Sequence, residues 1–270
     1  MAVVTVGDLD VAYDIAGPDS GTPILMINGL GADRAAWGLQ VPTFSREFQT
    51  ITYDNRDVGQ TGAGRAPRPY GIRQFAADAA GLLDALGVAR AHIVGASMGG
   101  AIAQEFGLAY PERAESLTIV CAWPKTDPWL AELLRHWETV FDASGALEWT
   151  RASWLWVFTW RFYDADPANL ADLLATAAAN PAPQTAAMYR RQSHAAAAHN
   201  ALDRLGQIAS LTHVIGGAED QLTPPRFSQA IAAAIPGARL SIMPEVGHGM
   251  FWEATEAFNE LVLGFIREVG

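Results

Sequence analysis

The segment Gly95-Ala96-Ser97-Met98-Gly99 sets a serine between two glycines, each two residues away. Before it, Ala91 to Val94 is short and apolar. After it, Ala101 to Ala109 is Ala-rich, with Ile102, Phe106 and Leu108 on one apolar face. This pattern predicts a buried strand that turns sharply into a helix, with Ser97 at the turn. Such a turn strains the serine backbone and exposes its hydroxyl. A Cβ at Gly95 or Gly99 would collide with the neighbouring strand or helix, and the start of the helix aims free N–H groups at the place where an oxyanion would form. A serine hydroxyl is a poor nucleophile at neutral pH. It needs a base to take its proton, and that base needs a carboxylate to fix its tautomer and stabilise its cation.

Two later loops supply these groups. His248 lies in Gly247-His248-Gly249, after the last apolar run, Arg239 to Met243. Asp220 lies in Gly216-Gly217-Ala218-Glu219-Asp220, after the run Thr212 to Gly216. Of the other histidines, His92 and His213 begin strands, whereas His136, His194 and His199 fall in the Trp- and Ala-rich middle of the chain. Glu219 and Asp127 are the competing carboxylates, and Asp220 is the preferred one. The negative charge of a tetrahedral intermediate calls for two backbone N–H donors. Met98, directly after the serine, is one candidate. Leu30, in the loop Asn28-Gly29-Leu30-Gly31, is the other.

These loops must be brought together by regular elements. Val3 to Val6 and Leu9 to Ile15 read as a hairpin turning at Gly7-Asp8, and Ile24 to Ile27 and Thr50 to Tyr53 as buried strands. Trp37 to Phe48 is helical in character. Ile72 to Leu86 carries apolar residues at helical spacing up to Gly87. The elbow strand and helix follow, then a strand from Ser116 to Ala122. After the middle region come a strand (Thr212 to Gly216), a helix (Pro225 to Ile235), a strand (Arg239 to Met243) and a closing helix (Ala254 to Val269). Alternating short strands and helices predict an α/β domain with an open, mostly parallel sheet covered on both faces, whose sites form at the carboxyl ends of the strands. Residues 124–205 break the alternation. Seven tryptophans fall between Trp123 and Trp160, and an Ala-rich stretch runs from Pro167 to Ala201, interrupted at Asn180-Pro181-Ala182-Pro183. This reads as a helical cap, with residues 1–123 and 206–270 as the core. Most of its aromatics should pack cap against core. Trp123, Trp154 and Met250 are the candidate substrate contacts.

With 270 residues the chain can bury a large core without a disulfide or metal staple. Its 29 acidic against 18 basic side chains give a net charge of −11, which argues against nucleic acid and anionic membrane surfaces as partners. Cys121 is the only cysteine and lies in an apolar run, which reads as core. The N-terminal residues lack the basic and long apolar regions of a secretion leader, and the apolar aromatic run Ser153 to Thr159 is too short to span a bilayer. A cytoplasmic protein is the expectation, and a homodimer stays open. Arg56 and Asp57 read as holding their own loop rather than binding an acidic substrate. Arg34 is open between these two roles.

Taken together, Gly95-Ala96-Ser97-Met98-Gly99-Gly100, the loop ending in Asp220, and Gly247-His248 resemble the α/β-hydrolase superfamily over the full chain, in the order Ser, Asp, His found there. Asp54-x-Arg56-Asp57-x-Gly59-x-Thr61 is similar to the Asp-x-Arg-Gly-x-Gly-x-Ser loop of many members. Within the superfamily the chain resembles capped enol-lactonase-like and carboxylesterase-like members. It departs in carrying Asn28 where many have His before the oxyanion glycine. The resemblance implies an eight-stranded sheet, a helical cap, no cofactor and no metal. The expected activity is serine hydrolysis of esters or lactones of mostly apolar small molecules. A carbon–carbon bond hydrolase, a cofactor-free haloperoxidase or perhydrolase, and a ligand receptor on the same scaffold remain open. Dehalogenases and epoxide hydrolases use an Asp nucleophile, and Ser97 argues against both.

Overall fold

The computed structural model describes residues 1–65, 67–165 and 167–270. Asp166, inside the span expected to be the cap, lies outside the described residues. Eight strands form one sheet: β1 (Ala2–Val6), β2 (Leu9–Ala16), β3 (Pro23–Ile27), β4 (Gln49–Tyr53), β5 (Ala91–Ala96), β6 (Ala114–Val120), β7 (Thr212–Gly217) and β8 (Arg239–Met243). Their spatial order is β1-β2-β4-β3-β5-β6-β7-β8. The β1–β2 and β2–β4 pairs are antiparallel and the rest are parallel. The helices are α1 (Val41–Phe44), α2 (Ile72–Ala85), α3 (Met98–Ala109), α4 (Pro128–Val157), α5 (Trp160–Ala165), α6 (Pro167–Ala178), α7 (Ala186–Ala197), α8 (Pro225–Ala234), α9 (Met250–Glu253) and α10 (Thr255–Val269).

Alternation along the central strands explains the layers. Leu25 and Ile27 of β3 and Ile93 of β5 face one apolar cluster, shared with Phe75 of α2, Phe106 of α3 and Ile231 of α8. Ile24, Met26 and Val94 face the other, shared with Phe44 of α1 and Phe258 and Ile266 of α10. Both faces are therefore covered, which is why these strands read as unbroken apolar runs. The chain leaves β3 toward the α1 face and leaves β5 toward the α3 face. The winding reverses there, and a crevice opens between the carboxyl ends of β3 and β5. Ser97 stands at that crevice.

The stretch expected to be helical from Trp37 to Phe48 is instead a 3-10 turn, Arg34–Trp37, followed by the four-residue α1. Gly38 disfavours continuation, and Pro42 removes an amide donor, which only the first turn of a helix tolerates. Between β6 and β7 lies a helical excursion, α4 to α7. Its long helix α4 breaks at Gly145, whose φ of 78° and ψ of −179° are not helical. The two ends of the excursion are joined: Ala201 N–H donates to the Pro124 carbonyl at 2.8 Å, Thr126 N–H donates to the His199 carbonyl at 3.0 Å, and Lys125 bridges Asn200. Among the described residues, no helix is long and apolar enough to cross a membrane.

Candidate active site

Ser97 has φ 58° and ψ −120°, outside the regions that L-residues ordinarily occupy. The neighbouring glycines show why the turn closes. A Cβ at Gly95 would lie 2.1 Å from the Gly99 carbonyl oxygen, and one at Gly99 would lie 2.1 Å from that of Ile27. The elbow is thus wedged against β3, and α3 starts at Met98, directly after the serine. On the β3 side, a Cβ at Gly29 would sit 3.0 Å from Ser97 Cβ, so the Leu30 loop lies against the serine. Asn28, the departure from the family pattern, is buried. Its side-chain amide donates to the Tyr53 carbonyl at 3.3 Å, and its own carbonyl accepts from Asn55 Nδ2 at 3.1 Å, which ties the loop to the end of β4.

Asp220 and His248 come together. His248 Nδ1 lies 2.9 Å from Asp220 Oδ2. Asp220 Oδ1 accepts from Leu222 N–H at 2.9 Å and Thr223 N–H at 2.7 Å. The Thr223 hydroxyl lies 2.8 Å from both Asp220 Oδ2 and the Cys121 carbonyl oxygen, with one proton to share. The carboxylate is thereby aimed at the imidazole, and Nε2 is the ring nitrogen left for a serine. The Ser97 hydroxyl makes no hydrogen bond among the described residues. Burial disfavours a proton on His248. The Cys121 sulfur and the Asp220 carboxylate beside it outweigh that effect and hold its pKa well above the ordinary imidazole value.

Both competing carboxylates and four of the other histidines are engaged elsewhere. Glu219 pairs with Arg161 at 2.7 Å. Asp127 caps α4 by accepting from Leu130 N–H at 2.8 Å, and it pairs with Arg226 at 2.9 Å. His92 meets Ser116, His213 meets Ser241, His194 meets Glu138 and His199 meets Gln104. Trp123 is buried, donates from Nε1 to Thr126 Oγ1 at 2.8 Å and meets His199 edge-on. Trp154 is half-buried and stands edge-on to Phe158 and Trp252. Met250 is fully buried in the cluster shared with α10. Arg34 binds Asp14 at 2.6 Å and Asp54 at 2.5 Å. Arg56 makes a two-pronged pair with Asp78, at 2.5 and 2.7 Å, and holds its loop.

The partners of other residues near the site carried no sequence signal. Asp57 pairs with Arg191 of α7 through both prongs of the guanidinium, and its carbonyl accepts from Gln184 Nε2 at 2.6 Å. Gln192 of α7 reaches the oxyanion loop: its Oε1 accepts from Gly31 N–H at 3.1 Å, and its Nε2 donates to the Arg56 carbonyl at 2.7 Å. Trp149 of α4 lies over Gly31, where a Cβ would sit 2.6 Å from the indole. Glu253 joins the His248 loop to the end of α4, accepting from Gly247 N–H at 3.3 Å and from the Thr159 hydroxyl at 2.7 Å. The one described group with metal-ligand chemistry is Cys121, Asp220 and His248, whose donor atoms lie within 4.8 Å of one another; here the carboxylate and imidazole already bond each other.

A strained serine at a strand–helix elbow and a buried His–Asp pair at later strand ends form the arrangement of one large family. The family model described as alpha/beta hydrolase fold matches residues 22–255. The chain belongs to this family. It is 34% identical over 263 residues to a protein of Azorhizobium caulinodans provisionally named carbamate hydrolase RutD, covering 97% of each chain. It is 32% identical over 266 residues to a Mycobacterium tuberculosis protein provisionally named non-heme bromoperoxidase BpoC, covering 97% of this chain and 99% of that one. The enol-lactonase of Burkholderia xenovorans LB400 superposes with a TM-score of 0.89 at 25% identity, covering 98% of this chain and 100% of that one. Family and relatives together make this chain a hydrolase of the α/β fold.

Proposed function

We propose that the protein is a serine hydrolase that cleaves carboxylic esters or lactones through an acyl-enzyme, with Ser97 as nucleophile, His248 as base and Asp220 as the carboxylate behind it. The observation that carries this reading is the 2.9 Å contact between His248 Nδ1 and Asp220 Oδ2, at the sheet edge that holds the strained Ser97. In the first half-reaction Ser97 Oγ bonds to the substrate carbonyl carbon while His248 Nε2 takes the hydroxyl proton. The carbonyl becomes an oxyanion, met by the N–H groups of Leu30 and Met98. Collapse expels the alcohol, which leaves with the proton from His248. Water repeats the sequence on the acyl-enzyme, and the acid departs. The bond from His248 to Ser97 forms when substrate fills the site, as such bonds tighten in the Michaelis complex.

The names of the relatives support an acyl substrate. A carbamate and an enol-lactone both carry a carbonyl next to a heteroatom leaving group, which is what this machinery activates. The helical excursion acts as a cap. Its aromatic side chains Trp137, Phe141, Trp149 and Tyr189 form a single cluster, in which Trp149 lies over Gly31 of the oxyanion loop, an apolar wall that favours apolar substrates of modest size. The test is turnover of p-nitrophenyl esters of increasing acyl length, together with simple lactones, by wild type and Ser97→Ala. The expected result is hydrolysis by wild type and a loss of about 10⁴-fold or more in the variant. Equal rates in both proteins would remove Ser97 from the reaction.

A further inference from the structure

His248 stands between Gly247 and Gly249, and the N–H of each glycine is held from outside the loop. Gly247 N–H belongs to the Val246–Gly247 peptide, whose carbonyl accepts at 3.0 Å from the N–H of Glu219, the residue before Asp220. This one peptide therefore sets the base loop against the acid loop. The fit there is close: a Cβ at Gly217 would lie 2.6 Å from the Val246 oxygen and 2.4 Å from that of Gly247. On the other side of His248, Gly249 N–H donates to the Val157 carbonyl at 2.8 Å. Glu253 serves both sides. Its Oε1 accepts from Gly247 N–H at 3.3 Å and from Thr159 N–H at 3.1 Å. Its Oε2 accepts from the Thr159 hydroxyl at 2.7 Å, which fixes the segment that carries the Val157 carbonyl.

We propose that Glu253 of α9 is a positioning residue for His248, holding the loop on both sides of it so that the imidazole stays aligned with Asp220. This rests on the hydrolase reading above. Without the carboxylate, the N–H groups of Gly247 and Thr159, both on buried residues, would lack acceptors. The Val246–Gly247 peptide would turn to find one, and its carbonyl would leave Glu219 N–H. A shift of about 1 Å at a reacting group costs on the order of 10²-fold in rate. Reach matters here rather than charge. Both N–H donors meet the single oxygen Oε1, which glutamine keeps, and its amide donates to the Thr159 hydroxyl instead of accepting from it. Aspartate keeps the charge but is one methylene shorter. Methionine keeps the length and lacks a strong acceptor. This hold is separate from the docking of α7, where Arg191 pairs with Asp57.

The experiment uses the full-length protein, the best p-nitrophenyl ester, and proton NMR of the low-field imidazole resonance. That resonance arises from the proton between His248 Nδ1 and Asp220 Oδ2, and it is assigned by its loss in Asp220→Asn. Glu253→Met is expected to lower kcat by about 10- to 100-fold, leave KM within about threefold of wild type, and shift the resonance upfield or broaden it away. Glu253→Gln should restore the resonance and keep kcat within about threefold. Circular dichroism and thermal melts establish folding, and Glu253→Asp, expected to act like Glu253→Met, serves if that variant does not fold. Asp57→Asn controls for lost stability alone and should keep the wild-type resonance. The inference is overturned by a kcat within about threefold of wild type in Glu253→Met or Glu253→Asp, by an unchanged resonance in them, or by Glu253→Gln falling as far as they do. It is overturned equally if Asp57→Asn loses the resonance. A wild type that shows the resonance but hydrolyses no ester or lactone sinks the hydrolase reading alone, and the resonance in the Glu253 variants then decides the positioning. A wild type with neither activity nor resonance overturns both.

Discussion

The loops after β7 and β8 and the helical excursion converge on the same crevice but are fixed by different kinds of contact. The carboxylate of Asp220 is aimed by Leu222 N–H and by the amide and hydroxyl of Thr223, groups no more than three positions away. The excursion is docked by Gln184, Arg191 and Gln192, whose partners lie 127 to 161 positions distant. In the first region the carboxylate is aimed mainly by a local turn, with one long-range tie from Thr223 to the Cys121 carbonyl. The second forms only after the whole chain has assembled, and these docking contacts are made by side chains rather than by backbone repeats. On the proposed reading, the acid of the triad is therefore aimed largely by short-range contacts, and the cap that governs access is docked by long-range ones.

That contrast can be broken most sharply at the acid. Asp220→Asn should lower kcat by about 10⁴-fold, through the wrong imidazole tautomer and an unsupported cation. Glu219→Gln should change it by less than about threefold, because Glu219 faces Arg161. Steady-state kinetics on one ester decides it, and comparable losses in the two variants would mean that the wrong carboxylate had been assigned.

The pH dependence sharpens the same point. In the proposed role of base His248 must be neutral, and its pKa stands above the ordinary value of 6.5. The value of kcat/KM should therefore rise about tenfold per pH unit on the acid side and level off above the raised pKa. Asp220→Asn removes one cause of the elevation and should move the midpoint to lower pH. A profile already flat at pH 6 would contradict the coupling.

The smallest effect is expected at the docking contact. Asp57→Asn keeps a residue that tolerates its φ of 66° but removes the charge facing Arg191. It should lower stability by about 1 to 3 kcal/mol in denaturant unfolding and leave kcat on a small ester within about threefold. No loss of stability would show that this ion pair contributes nothing to docking.

These differences also explain what could be read from residue order alone. The strands, the elbow and the chain order of Ser97, Asp220 and His248 follow from short-range patterns: apolar runs, glycine spacing and the loop at each strand end. Trp37 to Phe48 misled because its apolar content suits a helix, whereas Gly38 and Pro42 decide the backbone. Gln192 and Arg191 look like ordinary polar positions of an Ala-rich helix, since nothing in the local pattern encodes partners more than a hundred residues away. Asp57 did leave a trace. It stands where related loops carry glycine, and its left-handed φ shows why glycine is usual there. The pairing with Arg191 gives the carboxylate a role at that strained position.

The stitched ends of the excursion at Pro124–Thr126 and His199–Ala201 have a wider consequence. A segment that departs and rejoins through neighbouring backbone is a cassette: its interior can lengthen, shorten or be traded for that of a relative at little cost in loop-closure entropy, while β6 and β7 keep their register. One catalytic frame can thus be fitted with successive roofs, and substrate choice can diversify without rebuilding the reactive centre.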